Sequence, residues 1–295
     1  MNYKPEITIV IVSLKSGEII KECLKNIGSN YQVIIVENSN KEDIKIDIEK
    51  NFLNAKCIIL RKNYGYGIAA NAGIECVKTK YAFLLNADVE IYDYQIKEIE
   101  SEVKKLNNNF SLISPFYDDF KDFMENNKFD KFSNLNKKIN LEKNIEEVNL
   151  IKGSSMLFNL SRFKGKIFDE NFFIFFEEID VCKKLIIKNE KIYLMNRIKI
   201  KHAGNKGIEN INHNEMDNIR NWHYYWSSFY YHKKHYSFVK SFLVHLTKLI
   251  KFFILKNLYR LFKNKKADTF KFRFNGLFHS ILGKKSSDGP VPGGR

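Results

Sequence analysis

The first ninety residues alternate between continuous apolar runs and segments in which apolar residues recur at helical spacing. The apolar runs are rich in β-branched and aromatic residues, which is typical of strands buried on both faces of a parallel sheet. These runs are Ile7–Leu14, Tyr31–Val36, Ala55–Leu60 and Tyr81–Leu85. Helical segments lie between the strands, and this order predicts a doubly wound α/β sheet.

Polar residues follow these strands. Right-handed crossovers place the carboxyl ends of parallel strands along one edge of a sheet, where ligands bind. The sequence therefore predicts a ligand site at that edge, although a single aspartate after a strand is often only a turn former. The polar residues expected there are Ser13, Glu37, Asn38, Arg61–Gly67, Asn86 and Asp88.

A glycine turn, Asn63-Tyr64-Gly65-Tyr66-Gly67, leads into a predicted helix. Two glycines before a helix N-terminus allow the backbone to approach a phosphate closely. The third glycine and the downstream acidic residue of a dinucleotide-binding fingerprint are missing from the sequence. An ordinary glycine turn is therefore the alternative interpretation.

The segment Phe168–Asp180 joins an aromatic run to three carboxylates. We predict a strand that ends in the core and delivers Glu177, Glu178 and Asp180 to the rim of a pocket. Carboxylates beside apolar walls have raised pKa values and act as bases near neutral pH. The alternative is an acidic helix start, because carboxylates favour a helix N-terminus.

Between residues 91 and 202 the pattern predicts a surface helix, a polar insertion and short strands. They are the helix Ile91–Leu106, the insertion at 117–149, and strands at 150–158, 192–194 and 197–200. The first of these strands contains the small residues Gly153 and Ser154, and His202 follows the last. A single histidine in a turn is usually structural.

The positive charge is concentrated near the C-terminus. Residues 1–232 contain 34 basic residues (Lys and Arg) and 32 acidic residues (Asp and Glu). Residues 233–285 contain 14 basic residues and one acidic residue. The first part thus carries +2 and the second +13 of the net charge of +15. A nearly neutral body with a strongly basic end indicates an anionic partner, either a membrane surface or nucleic acid.

The basic region also has an amphipathic pattern. It follows the aromatic segment Asn221–Tyr236, and Lys240, Lys248 and Lys251 lie opposite its apolar residues. The apolar residues fall on an arc of roughly 120° at 100° per residue. They are Val239, Phe242, Leu243, Leu246, Leu249, Ile250 and Phe253.

A basic amphipathic helix beside Trp and Tyr residues is typical of an in-plane membrane binder. We therefore predict that residues 233–266 bind an anionic membrane surface. The alternative is that the apolar face packs on the rest of the chain or on a second copy, which leaves a homodimer open. Nucleic acid is not an expected partner, because no recognised binding motif accompanies the charge.

Other sequence features exclude several classes of protein. Four cysteines lie far apart and form no CxxC pair, so we expect neither a disulfide framework nor a zinc site. The apolar stretches fall short of ~18 residues, so no membrane-spanning helix is expected. The N-terminus leads straight into a strand, so we expect no signal peptide.

In collinear order over residues 7–207, these stretches resemble the family 2 glycosyltransferases with the GT-A fold, most closely the rhamnosyltransferase-like subgroup. The chain departs from that family at Ser13-Leu14-Lys15, where the family has Thr/Ser-Tyr-Asn, and at Glu37 and Glu178, where it has Asp. The matches are VIIVENS at 33–39, the N-x-G-x-G-x-A-x-N-x-G pattern at 63–73, LLNAD at 84–88, the FDE…EExD pattern at 168–180, and His202.

This resemblance implies a GT-A mixed sheet flanked by helices, here with a C-terminal basic amphipathic extension. It also implies inverting transfer of a sugar from a nucleotide-sugar, with Glu178 as the general base. Glu177, Gly153 and Ser154 would bind the acceptor, and Asp88 with His202 would hold Mg²⁺ or Mn²⁺. Donor-binding residues would be Ser13, Glu37, Asn38, Asn63, Gly67, Asn71, Asn86 and Asp88.

Positive charge for the leaving diphosphate could also come from Arg61, Lys62 or Lys206. We expect a catalytic domain at 1–215, a helical region at 216–285, and a disordered tail or tag remnant at 286–295. The expected acceptor is a lipid-linked or cell-surface glycan, and the expected location is the cytoplasmic face of the plasma membrane. A scaffold subunit with weak catalysis and a nucleotidyltransferase are the alternatives.

Overall fold

The computed structural model describes residues 4–117, 140–202 and 213–292. The chain divides into two compact units. The first consists of Met1–Lys62, Ala69–Phe168 and Glu178–Glu209, and the second of Asn63–Ile68, Asp169–Glu177 and Asn210–Arg295. Two short segments from the N-terminal two thirds of the sequence thus belong to the same unit as the C-terminal helices.

The first unit is built on a mixed sheet. Its described strands are β1 (Ile7–Ser13), β2 (Gln32–Glu37), β3 (Ala55–Ile59), β4 (Tyr81–Asn86), β5 (Val89–Glu90), β6 (Leu112–Tyr117), β7 (Ile145–Glu147), β8 (Ser155–Asn159) and β9 (Ile192–His202). They lie in the order β3-β2-β1-β4-β8-β6-β9-β5, with β7 also paired to β9. The first four strands are parallel, as predicted, and β8 is antiparallel to β4.

Helices flank this sheet, which confirms the predicted fold class. They are α1 (Gly17–Ile27), α2 (Glu42–Asn51), α3 (Tyr66–Glu75), α4 (Asp93–Lys105) and α5 (Glu177–Ile187). Helix α3 approaches the sheet closely at Gly73, where a Cβ would lie 2.5 Å from a Val10 methyl and 2.8 Å from a Val36 methyl. The small residues of α3 therefore let the helix lie directly against β1 and β2.

The strand predicted within residues 168–180 is wrong. Residues 169–176 form turns, and α5 begins at Glu177, so the alternative of an acidic helix start is the one observed. The aromatic run is nevertheless buried at Phe172, Phe173 and Phe176. Burial alone therefore explains the apolar composition, without strand pairing.

Two smaller differences concern the later strands. The two short strands predicted at 192–194 and 197–200 are one strand, β9, which pairs with β6 through a register shift between Pro115 and Phe116. Strands β5 and β7 have two and three residues, too few for an alternation of apolar and polar residues to predict a strand. Residues 118–139 of the predicted insertion lie outside the described part of the chain.

The second unit contains α6 (His213–His235), α7 (Phe238–Leu261) and α8 (Lys266–Ile281), which pack against one another. Helices α6 and α8 touch at Gly276, where a Cβ would lie 2.0 Å from the Trp222 carbonyl oxygen. Helix α7 begins after Ser237, whose hydroxyl accepts the Lys240 N–H at 3.2 Å. Among the described helices, none combines the length and apolar character that crossing a bilayer requires.

The predicted tail is ordered through Pro292. Ser286 Oγ donates a hydrogen bond to the Asn171 carbonyl oxygen, and His223 Nε2 lies 2.7 Å from the Pro290 carbonyl oxygen. Gly289 lies against the Trp222 ring, so closely that a Cβ would be 2.3 Å from it. The expectation of disorder therefore does not hold for residues 286–292, because they pack within the helical unit.

Two buried histidines make the helical unit sensitive to acid. Burial lowers the pKa of His223 to about 4 and that of His245 to about 3, the latter helped by His232 and Lys248. The ordinary pKa of histidine is about 6.5, so the unfolded chain binds more protons than the folded chain as the pH falls below that value. The stabilisation that neutral histidines give above about pH 6.5 is then lost.

We expect the free energy of unfolding to fall between pH 6.5 and pH 4, by on the order of 1 kcal/mol per pH unit for each histidine. Urea titrations followed by tryptophan fluorescence measure this directly, because Trp222 and Trp226 are the only two tryptophans and both lie on α6. His245→Gln should make the pH dependence shallower. An unchanged slope in that variant would contradict the assignment.

Candidate active site

Glu37 holds together the chain segments that follow β1 and β2. Ser13 lies opposite Glu37 in the sheet, and its hydroxyl donates to Glu37 Oε2 at 2.8 Å. The Lys15 N–H donates to Oε1 at 2.9 Å, and the Ser39 hydroxyl also donates to Oε1. Glu37 is fully buried. Its carboxylate therefore fixes the shape of the sheet edge where Asn38 also lies, with the Asn38 N–H bonded to the Ser13 carbonyl.

Asp88 and His202 meet because β5 and β9 pair. The register places Val89 opposite His202, and His202 Nε2 lies 3.2 Å from Asp88 Oδ1. Burial would by itself raise the pKa of Asp88, but the neighbouring His202 side chain, together with Lys152, lowers it below its usual range. The Lys152 ammonium lies 5.1 Å from the centre of the Tyr117 ring, which is edge-on to His202.

These two side chains fit a divalent cation. They offer one carboxylate oxygen and one imidazole nitrogen at the same place, which Mg²⁺ and Mn²⁺ accept when further oxygen ligands complete the shell. His202 Nε2 is buried and makes no well-aligned hydrogen bond to the described residues. Within those residues, no three His, Cys, Asp or Glu side chains converge on one point, so phosphate or water oxygens would have to supply the remaining ligands.

The small residues before β8 connect Asn86 to Glu178. The Asn86 N–H donates to the Ser154 carbonyl oxygen at 2.9 Å. A Cβ at Gly153 would lie 3.3–3.5 Å from the Glu178 side chain, so the glycine leaves that side chain room that a larger residue would take. Ser154 Oγ is buried and, within the described chain, makes no hydrogen bond, which leaves the hydroxyl available to a bound molecule.

Glu178 is the second residue of α5, and Glu177, which is buried, is the first. Burial raises the pKa of Glu178, while hydrogen bonds from the backbone N–H groups of Glu178 and Ile179 act in the opposite direction. A carboxylate with a raised pKa is a stronger proton acceptor. The pKa of Glu178 is thus shifted in the direction that the sequence predicts for this acidic segment.

In the second unit, the glycine turn lies against Phe173. Gly65 has φ +92°, and a Cβ on it would be 2.5 Å from the Phe173 carbonyl oxygen. The same oxygen accepts the Tyr66 N–H at 2.8 Å, and Asn63 Oδ1 accepts the Gly65 N–H at 3.0 Å. Gly67 follows as the second residue of α3. Glycine is therefore required at position 65 by both conformation and contact.

Asn71 forms two hydrogen bonds to the backbone of Phe168, a structural role that its sequence motif does not predict. Its side-chain nitrogen donates to the Phe168 carbonyl oxygen, and its side-chain oxygen accepts the Phe168 N–H, both at 3.0 Å. Both residues are buried. The Asn71 amide thus fixes the chain at the point where the acidic segment begins.

The model of the family described as "Glycosyl transferase family 2" matches residues 8–162, more than half of the chain. The chain belongs to glycosyl transferase family 2. This confirms the resemblance on which the predicted site rests.

Two curated relatives of this glycosyl transferase family 2 chain are similar over part of their length. One is the "Low-salt glycan biosynthesis hexosyltransferase Agl10" of Haloferax volcanii, 26% identical over 199 residues, which are 63% of this chain and 64% of the relative. The other is a "Teichoic acid poly(glycerol phosphate) polymerase" of Staphylococcus epidermidis, 29% identical over 123 residues, 38% of this chain and 16% of the relative. The chain thus spans less than two thirds of either protein.

Solved structures share the fold. A mannosyltransferase from Pyrobaculum calidifontis, solved with GDP-Man and Mn²⁺, has a TM-score of 0.55 at 11% identity, covering 96% of this chain and 89% of that one. TarS 1-349 from S. aureus has a TM-score of 0.51 at 10% identity, covering 94% and 92%. These similarities support the GT-A fold for this family 2 chain.

The structure brings many of the predicted site residues of this family 2 member into direct contact. Within the first unit, Ser13 meets Glu37, Asp88 meets His202, and Asn86 meets Ser154. Arg61 and Lys62 are exposed, and Lys206 lies outside the described residues. Residues that the sequence did not single out are Tyr117 and Lys152 beside His202, and Phe173 beside the glycine turn.

Gly65→Ala should destabilise the protein more than a matched glycine substitution. Gly165 also has a positive φ, +75°, but nothing lies within 4 Å of a Cβ there. Gly165→Ala should therefore cost only about 1–2 kcal/mol, the usual penalty of the left-handed conformation. Gly65→Ala adds a clash with a fixed carbonyl and should lower the melting temperature further. Equal shifts in thermal unfolding would contradict the clash.

Proposed function

We propose that this chain is an inverting glycosyltransferase that moves rhamnose or another hexose from a nucleoside diphosphate sugar to a hydroxyl group of a glycan acceptor. The observation that supports it is the Glu178 side chain, whose pKa is raised by burial and which lies beside Gly153. Glu178 removes the acceptor proton while the acceptor oxygen bonds to the anomeric carbon. The bond from that carbon to the diphosphate breaks, and the nucleoside diphosphate leaves with the electron pair.

Asp88 and His202 would hold Mg²⁺ or Mn²⁺. When bound, the cation neutralises the negative charge that collects on the leaving diphosphate. The mannosyltransferase and GalNAc-T7 structures, which have the same fold, were solved with Mn²⁺. Lys152, whose charge reaches Asp88, adds positive charge on the same side.

The sheet edge of the first unit is the part of the chain that we assign to the donor. Glu37 acts there through the segments that it fixes, because three hydrogen bonds from the protein already occupy its carboxylate. Asn38 and Asn86 supply polar groups at the strand ends, and the family resemblance also implies donor contacts for Asn63 and Gly67. Asn71 contributes by holding Phe168 in place.

The acceptor is a lipid-linked or cell-surface glycan. The names of both curated relatives refer to glycan or teichoic acid synthesis, which supports this acceptor class. Glu177, Gly153 and Ser154 would contact it. A lipid-linked acceptor also gives a reason for the protein to bind a membrane, on its cytoplasmic face.

Helix α7 supplies the membrane-binding surface. It packs on α6 through Ser241, His245 and Phe252, for example by Ser241 Oγ donating to the Phe229 carbonyl at 2.8 Å. This packing leaves apolar residues along α7 exposed to solvent. They are Val239, Leu243, Ile250, Phe253, Ile254, Leu258 and Leu261, a set that we call the α7 stripe.

The charge beside the α7 stripe favours lipid over a second copy of the chain. Residues 233–285 contain 14 basic residues and Asp268 as their single acid, so two such surfaces repel each other. An anionic bilayer attracts them, by about 1 kcal/mol for each nearby Lys or Arg. The apolar residues then enter the interfacial region of the bilayer.

Glu178→Gln should lower sugar transfer or donor hydrolysis by roughly 10²- to 10⁴-fold, because it removes the general base. Donor binding should persist, as measured by thermal shift with UDP-, GDP- and dTDP-sugars in the presence of Mn²⁺. Glu98→Gln makes the same chemical change on the exposed face of α4 and is the control. Turnover that survives Glu178→Gln unchanged would overturn the assignment.

Leu261→Glu should weaken sedimentation with phosphatidylglycerol vesicles several-fold and leave the melting temperature almost unchanged. Leu261 is 80% exposed on α7, and the matched control Leu53→Glu changes a residue that is 96% exposed in the first unit. Wild-type protein should bind phosphatidylcholine vesicles weakly, since the charge contribution is missing. Equal losses in both variants would contradict a lipid-binding role for the α7 stripe.

A further inference from the structure

One face of α6 contacts the acidic segment that leads to Glu178. Ser227 Oγ donates to the Ile174 carbonyl oxygen at 3.0 Å. The ring of Tyr224 lies 6.0 Å from that of Phe175 and 5.4 Å from that of Phe176, measured between centroids. The backbone just before α5 is thus bonded to α6 and enclosed by one of its aromatic side chains.

That backbone has an unfavourable conformation. Phe175 and Phe176 have φ values of +70° and +72°, a region that residues with side chains rarely adopt. Two such residues in succession persist only where the surroundings impose them. They turn the chain so that α5 begins at Glu177, and Glu178 is the next residue.

The same face of α6 also reaches the glycine turn. The His223 ring stacks on the Phe173 ring, with centroids 4.6 Å apart. The Phe173 carbonyl oxygen accepts the Tyr66 N–H and lies where a Cβ of Gly65 would be. Phe173 therefore links α6 to the glycine turn.

We propose that α6 is a positioning element for the reaction: Ser227 and Tyr224 hold the left-handed Phe175–Phe176 backbone and so fix the start of α5, the helix on which Glu178 is the second residue. This proposal rests on the proposed function, in which Glu178 is the general base. Ser227 and Tyr224 are positioning residues and act through Glu178. A displacement of about 1 Å in a reacting group can cost ~100-fold in rate.

The test compares two adjacent serines. Ser227 and Ser228 are both buried on α6, but Ser228 Oγ bonds to His245 Nε2 on α7 at 2.9 Å and not to the acidic segment. Ser227→Ala and Ser228→Ala therefore each remove one buried hydroxyl bond from the same helix. We expect Ser227→Ala to lower kcat for donor hydrolysis by roughly 10- to 100-fold with little change in the donor KM. Ser228→Ala should leave both nearly unchanged.

A second readout separates positioning from general weakening. In a Glu178→Gln background, Ser227→Ala should have no further effect on the residual rate, because residues that act through one group are not additive. A further loss equal to that seen in the wild type would overturn the proposal. Equal losses of kcat in Ser227→Ala and Ser228→Ala would also overturn it.

Hydrogen exchange tests the proposal without catalysis. Ser227→Ala should speed amide exchange across residues 174–180, and Ser228→Ala should not. If the wild type hydrolyses none of the UDP-, GDP- or dTDP-sugars, the proposed function fails, and exchange alone decides whether α6 holds the segment. Unchanged exchange in Ser227→Ala would overturn the positioning role whatever the activity.

Discussion

The Phe173 carbonyl oxygen accepts the Tyr66 N–H, and the organisation of the second unit depends on this hydrogen bond. It joins a turn near residue 65 to a segment near residue 173, and the Phe173 ring stacks on His223 of α6. Without a glycine at position 65 the two backbones could not approach, since a Cβ would occupy the place of the carbonyl oxygen. Two segments that match sequence patterns of the family are thereby held by α6, which lies outside the matched residues 8–162.

In the first unit, strand pairing places the charged side chains beside their partners. The short pairing of β5 with β9 puts Asp88 beside His202, and the pairing of β1 with β2 puts Ser13 beside Glu37. The backbone hydrogen bonds between paired strands thus fix the distance between the two side chains of each pair. Backbone hydrogen bonds in a sheet are stiffer than side-chain contacts. Charged groups placed in this way need little rearrangement when a ligand arrives, and such preorganisation is what makes electrostatic stabilisation effective.

The sequence predicts well whatever depends on local pattern. The apolar runs identify the four parallel strands, and the spacing of the polar strand ends identifies the edge where Ser13, Glu37 and Asp88 lie. Prediction from the sequence fails where contacts between residues distant in the chain determine the local conformation. Nothing about Phe175 and Phe176 in the sequence indicates a left-handed backbone, because phenylalanine does not favour it, and the contacts with α6 come from residues distant in sequence. The hydrogen bond from Asn71 to Phe168 could not be predicted from the sequence either, since an asparagine in a donor motif suggests a ligand contact.

The division of the chain has a consequence for the order in which the protein is made. Strands β1 to β4 can pair as soon as they leave the ribosome, because their partners are close in sequence. Residues 169–177 find their partners Ser227 and Ser286 only after α6 and the segment that follows α8 have been synthesised. We therefore expect a nascent chain to pair its four parallel strands early, while the segment before Glu178 is not yet ordered. This timing would delay the ordering of that segment until the helices that we assign to the membrane have formed.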